Sequence, residues 1–251
     1  MASTASPSPV SEAADVTEAG VPSLRAGVGY EFFLRRLHSL SGIMPVGAFL
    51  LEHILFSNAT AINGPTAYYN QVKFLNSLPL TFYLELFGIW IPILFHGGYG
   101  FYIWYRGKSN LVHYPWEGNW MYSLQRWTGG IAFVYIIMHT YTMRFAGIHL
   151  PQLPAASFGK VQRELANQWM LLFWIIGLVT ASWHFAYGIW LFCAKWGITI
   201  GERARQRMLV ACMGFFLLLV TVGGLSIRSF VTKPLQPVEK GPELEKIELG
   251  K

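Results

Sequence analysis

Residues 80–105 read LTFYLELFGIWIPILFHGGYGFYIWY. One carboxylate, Glu85, and one imidazole, His96, interrupt a run that is otherwise apolar, aromatic or small. A bilayer-spanning helix needs about 20 predominantly apolar residues, so this stretch predicts a membrane span. Four others qualify, running roughly from Leu37 to Phe56, Trp120 to Met143, Trp169 to Lys195 and Met208 to Phe230. Strand-period alternation is absent, which argues against a β-barrel. The expected class is an all-α membrane protein, a bundle of five transmembrane helices.

Composition agrees. Of 251 residues, 53% are hydrophobic, 16% aromatic and only 13% charged, where a soluble domain carries about 25% charged. The formal charge of +6 is no nucleic-acid signal, because the cations lie mostly between apolar runs and read as topology determinants. Cys193 and Cys212 are too far apart for a C-x-x-C pair, and no C-x-x-C-H run exists, so a disulfide framework and covalent c-type haem are both unsupported. Tyr105, Trp116, Trp120, Trp169 and Trp196 mark span ends as interfacial aromatics do. Pro45 and Pro92 lie inside spans and predict bends.

Residues 1–29 are rich in Ala, Ser, Pro and Gly and lack a signal-peptide core, so they are expected to form a flexible cytoplasmic arm. Residues 30–231 form the membrane domain, and 232–251 a polar tail too poor in apolar residues to fold alone. Ten basic residues (Arg25, Arg35, Arg36, Arg106, Lys108, Arg126, Lys195, Arg203, Arg205 and Arg207) flank one side, against four (Lys73, Arg144, Lys160 and Arg163) on the other. The positive-inside rule then sets the N-terminus in the cytoplasm and the C-terminus outside.

Each of His53, His96, His139 and His184 sits in a different span. Ionisable side chains in hydrocarbon are costly and mark functional sites. With a rise of 1.5 Å per residue, His53 and His139 fall toward the outer face, and His96 and His184 toward the cytoplasm. Two facing pairs of neutral imidazoles are what two b-type haems need as axial iron ligands, and the two levels would lie roughly 15 Å apart along the membrane normal.

His96 and His184 each open an H-x-x-Y-G run. Gly100 and Gly188, one turn on, and Gly42 and Gly129 or Gly130, about three turns before His53 and His139, would leave room for a flat macrocycle or simply for close helix packing. His38, beside Arg35 and Arg36, suggests haem propionates, a quinone headgroup or a soluble partner, or else an interfacial anchor. Arg36 and Arg126 are candidates for propionate contacts. Glu85 precedes His96 by close to three turns, so both are expected on one face; a carboxylate there could relay protons to a quinone or bond a neighbouring helix. Glu52 is expected to point elsewhere on its helix, and His113 and His149 fall in loops.

The runs Arg35-Arg36-Leu37-His38-Ser39, Glu52-His53, Ser77-Leu78-Pro79, Leu84-Glu85-Leu86-Phe87, Gln125-Arg126, His139, His184-Phe185 and Trp196-Gly197-Ile198-Thr199 resemble the cytochrome b558 subunit of bacterial succinate dehydrogenases. The likeness covers about residues 30 to 231. It implies a five-helix, dihaem anchor for a flavoprotein and an iron–sulfur subunit, in a complex that reduces a quinone, typically menaquinone, or runs in reverse as a fumarate reductase. His53 and His139 then match the ligands of the haem far from the iron–sulfur subunit, and His96 and His184 those of the near one. The resemblance implies the bacterial cytoplasmic membrane and leaves open a higher oligomer of the complex. No dinucleotide fingerprint such as G-x-G-x-x-G appears, so dicarboxylate chemistry belongs to another chain. From the residues alone, a dihaem anchor of a hydrogenase or formate dehydrogenase, or a haem-free transporter, remains an alternative.

Overall fold

The computed structural model describes residues 21–107, 111–146 and 156–236. The arm expected at the N-terminus lies outside the described residues up to residue 20, and the tail from residue 237 onward. Contacts divide the chain into Met1–Leu37 and His38–Lys251. In the first unit Arg35 pairs with Glu31 one turn earlier at 2.9 Å, and the Arg36 guanidinium lies 5.0 Å over the Phe32 ring.

Helix α1 (Val21–Ile43) stops where Pro45 begins α2 (Pro45–Leu51). A proline there has no N–H to give the carbonyl four residues back and its ring crowds that carbonyl. A π turn, Glu52–Ser57, and a 3₁₀ segment, Asn58–Asn63, complete this first span. Gly64, at φ +113°, makes the sharp entry to α3 (Pro65–Ser77) that a residue with a Cβ would resist. The second span is α4 (Thr81–Glu85), a π turn (Leu86–Trp90) and α5 (Ile91–Arg106). Pro92 stands in the first turn of α5, and the widened turn before it absorbs the lost backbone bond.

Helix α6 (Glu117–Thr140) runs into a third π turn, Tyr141–Phe145. A short helix, α7 (Ser157–Leu165), precedes α8 (Gln168–Lys195). Asn167 caps α8, its Oδ1 accepting from the amides of Trp169 (2.9 Å) and Met170 (3.3 Å). Helix α9 (Glu202–Thr232) follows. Among the described residues no strand occurs, as the sequence predicts.

Among the described residues, four helical stretches are long and apolar enough to cross a membrane: Gly29–Asn63, Thr81–Arg106, Gln168–Lys195 and Glu202–Thr232. The remaining predicted span falls on α6, which has a similar length but is more polar, carrying Glu117, Gln125 and Arg126. The polarity of the second unit is turned outward-in. Phe82, Phe87, Leu94, Trp127 and Val134 are exposed, whereas Ser41, Ser57, Ser123, Thr128, Ser182 and Ser226 are buried. That distribution suits a hydrocarbon surround, where small and hydroxyl residues line helix contacts. Helix α8 packs on both α6 and α9, with Gly177 receiving the Tyr135 ring and Gly223 the Leu178 side chain.

Helix α7 falls where the sequence suggests only a loop. Seven of its nine residues are buried, all but Arg163 and Glu164, with Phe158 and Val161 joining Tyr68, Trp174 and Phe230 in one cluster. Gln162 on α7 donates to the carbonyls of Phe230, Lys233 and Pro234 and accepts from the Gln236 amide, tying down the end of α9. Burial pushes the Tyr68 phenol in that cluster up to about 12.

Candidate functional site

The four membrane histidines meet in twos. His53 and His139 have ring centroids 5.9 Å apart at an interplanar angle of 73°, and His96 and His184 are 6.1 Å apart at 80°. Two imidazoles that each place a nitrogen about 2 Å from a shared metal have centroids about 6 Å apart. Both pairs therefore have the spacing that two imidazoles would need to hold one metal between them. Among the described residues no three His, Cys, Asp or Glu side chains gather as a metal held by protein alone would require. Pairs fit a group that brings its own equatorial ligands, as haem does.

The shell of the His96–His184 pair fixes its chemistry. His96 Nδ1 lies 2.9 Å from the His38 carbonyl, and His184 Nδ1 2.9 Å from the Gln125 carbonyl. A carbonyl only accepts, so each Nδ1 carries the proton and each Nε2 keeps its lone pair. Metal-bound histidines use their second nitrogen in this way, which sets the tautomer and raises ligand basicity. Ser41 Oγ lies 3.4 Å from His96 Nδ1, and Gln125 Nε2 donates to the His184 carbonyl at 3.0 Å.

Behind each ring stands a glycine of a neighbouring helix. A Cβ on Gly42 would run into the His96 ring, and one on Gly129 would lie 2.6 Å from His184 Cε1. The space at these glycines thus holds the imidazole itself, where the sequence suggests the edge of a macrocycle. Gly130 faces Trp104, and Gly100 and Gly188 face His38 and Gln125. The two halves of the chain repeat the arrangement. His38, Gly42 and Gly100 stand around His96 as Gln125, Gly129 and Gly188 stand around His184. Gly97 receives Phe133, while Phe185 fills the space at Gly47.

His139 lies against Tyr135 (5.3 Å) and Trp174 (4.7 Å), and His53 stacks on Phe49 (5.2 Å). In the π turn at Glu52–Ser57 the His53 carbonyl accepts from the Asn58 backbone amide and from Asn58 Nδ2, the latter at 2.8 Å. Glu52 does point away from the pair, to the buried Ser57 hydroxyl.

His38 is half-buried and stacked on His96 at 4.2 Å and 8°, within the shell of that pair. Arg126 lies over the Tyr122 ring and donates to the Tyr122 carbonyl at 3.1 Å. Its Nε stands by Gly107, at the end of α5. Arg36 belongs to the first unit. Glu85 forms an ion pair with Arg144 at 2.7 Å, a partner the sequence analysis does not single out. A π turn, Leu86–Trp90, lies between Glu85 and His96 and changes the helical phase from which their common face is predicted. His113 is exposed, and His149 lies outside the described residues.

Helix α7 adds two charged groups. Glu164 accepts from Thr142 Oγ1 (2.8 Å) and Trp174 Nε1 (3.1 Å). Lys160 donates to the carbonyls of Met143 and Ala146, both at 2.9 Å. Burial lowers the Lys160 ammonium from the usual lysine value, and Glu164, one turn on, opposes that shift.

The comparisons with known proteins point one way. A family model described as the succinate dehydrogenase/fumarate reductase transmembrane subunit matches residues 106–222. The succinate dehydrogenase cytochrome b558 subunit of Bacillus subtilis (strain 168) is 36% identical over 202 residues, spanning 80% of this chain and 98% of that protein. A likeness of that strength over nearly the whole of the relative, on an all-helical chain with several membrane-length apolar helices, is that of common descent: this chain belongs to the succinate dehydrogenase/fumarate reductase transmembrane subunits.

Proposed function

We propose that this chain is the dihaem anchor of a succinate:quinone oxidoreductase. The observation that carries the reading is the two imidazole pairs at 5.9 and 6.1 Å. With haem b between each pair, the chemistry supplied is one-electron transfer, from an iron–sulfur subunit at the cytoplasmic side, past His96 and His184, then past His53 and His139, to a quinone, in our reading menaquinone.

The chain's own residues have separable tasks. The carbonyls of His38 and Gln125 hold His96 and His184 in the tautomer that leaves Nε2 free. A haem held by two imidazoles would be left with no site for oxygen and would serve electron transfer. Arg36 and Arg126 are assigned to propionate carboxylates, and His38, stacked on His96, to the same inner shell. Glu85, steadied by Arg144, is assigned to proton exchange with the quinone at the outer side. Five helices cross the bacterial cytoplasmic membrane, α6 among them, with residues 1–29 as a cytoplasmic arm and 232–251 as an outer tail. The excess of basic residues on the N-terminal side supports that orientation. The flavoprotein and iron–sulfur partners, implied by the family, supply the dicarboxylate site, and membrane lipid surrounds the bundle.

Purification in mild detergent tests this reading. Flavoprotein and iron–sulfur subunits should accompany the chain, and succinate should reduce a b-type α-band. A nickel or molybdenum protein in place of the flavoprotein, or a preparation without a b-type spectrum, would overturn it.

A further inference from the structure

Glu164 is a carboxylate of the short helix α7, next to a site where the sequence predicts no such group. Its Oε1 accepts two hydrogen bonds, from Thr142 Oγ1 at 2.8 Å and from Trp174 Nε1 at 3.1 Å. Both donors reach His139. Trp174 is buried and packs edge-on against the His139 ring at 4.7 Å and 76°, while Thr142 Oγ1 also lies 3.2 Å from the His139 carbonyl. Tyr135 closes the other side of the imidazole, stacked at 5.3 Å and 23°. One carboxylate oxygen thus anchors the ring wall and the backbone of His139 together. His53 is held differently, with Phe49 on its ring and Asn58 on its carbonyl.

We propose that Glu164 is a positioning residue for the outer site, setting the orientation of His139 through Trp174 and Thr142 and lending negative charge to the group held there. The inference rests on the reading of His53 and His139 as an axial pair. Two effects follow from one residue. Tyr135 Oη lies 3.5 Å from His139 Nδ1, while Glu164 acts on the ring through the Trp174 wall and on the backbone through Thr142, so losing the acceptor loosens the packing that sets the ring plane. A carboxylate near an iron centre favours the more positive, oxidised state, so losing its charge makes reduction easier. Lys160, one turn earlier on α7, offsets part of that charge but is held by the Met143 and Ala146 carbonyls. The Glu85–Arg144 pair nearby is internally neutral.

The two effects separate in the assembled complex. In Glu164→Gln an acceptor oxygen remains for Thr142 and Trp174 while the charge is gone. The outer haem should then titrate at a higher potential with an unchanged low-spin electron paramagnetic resonance signal. In Glu164→Ala the potential should rise and the largest g-value of that signal should move as well, because this value reports the angle between the imidazole planes. The inner haem, with its separate shell of His38 and Gln125, should keep its signal and potential in both. An outer haem unchanged in Glu164→Ala, or equal shifts at both haems, overturns the proposal. Should that variant fail to assemble, Thr142→Val and Trp174→Phe each remove one donor, and an unaltered outer signal in both overturns it equally. His139→Ala retaining both haems would instead refute the underlying assignment of the pair.

Discussion

Replacing Gly42 with alanine sets a methyl group against the ring of His96, since a Cβ at Gly42 would stand 2.8 Å from His96 Nδ1. Ordinary contacts between such atoms need about 3.5–4.0 Å, and His96 Cε1 stands closer still, so the ring must retreat by more than about 1 Å. That movement breaks the 2.9 Å bond from Nδ1 to the His38 carbonyl, a loss of about 1 kcal/mol. Overpacking adds about 1–3 kcal/mol, and the gain from replacing a helical glycine returns about 1 kcal/mol. The balance is a cost of about 1–3 kcal/mol, or roughly a 5- to 150-fold weaker hold on the inner haem. Gly98→Ala is the control, because a Cβ there meets nothing within 4 Å and only the helix gain should remain. The assay is haem per chain and the reduced-minus-oxidised spectrum of the purified complex. Full haem content in Gly42→Ala, or loss confined to the outer haem, would refute the packing argument.

Other outcomes follow from the pairs. His96→Ala and His184→Ala should each remove the inner haem and spare much of the outer, with His53→Ala and His139→Ala doing the converse; α-band spectra of the four complexes check this. The near-perpendicular ring planes, 73° and 80°, leave the two π-type d orbitals of a low-spin iron nearly equal in energy. Both oxidised haems should therefore give strongly anisotropic resonance signals with one dominant g-value, and parallel-plane signals would contradict the geometry. Arg144→Ala should lower quinone reduction more than stability, because a partly exposed pair with Glu85 contributes only about 0.5–1 kcal/mol; quinone turnover and thermal unfolding measured together separate the two.

Long apolar runs made most of the helices legible in the sequence, since hydropathy over 20 residues needs no knowledge of packing. Helical rise alone also indicated which imidazoles share a depth, and His53 does meet His139, and His96 meets His184. Phase was harder. The π turns at Glu52–Ser57, Leu86–Trp90 and Tyr141–Phe145 each add a residue to the winding, and no local pattern announces them, though Pro92 hints at the second. The second of them lies between Glu85 and His96, so regular helical spacing alone does not fix their relative phase. Helix α7 is too short for its periodicity to stand out, so Lys160 and Arg163 read only as basic residues flanking the spans and nothing singles out Glu164. Gly42 and Gly129 signalled close approach correctly, but not which ring comes near them, because that depends on neighbouring helices.

Haem stoichiometry tests the central claim most directly. Alkaline pyridine extraction of the purified complex, set against quantitative amino-acid analysis, should give two haems b for each copy of this chain. A ratio of one or none, in a complex that retains its partner subunits, would contradict the account.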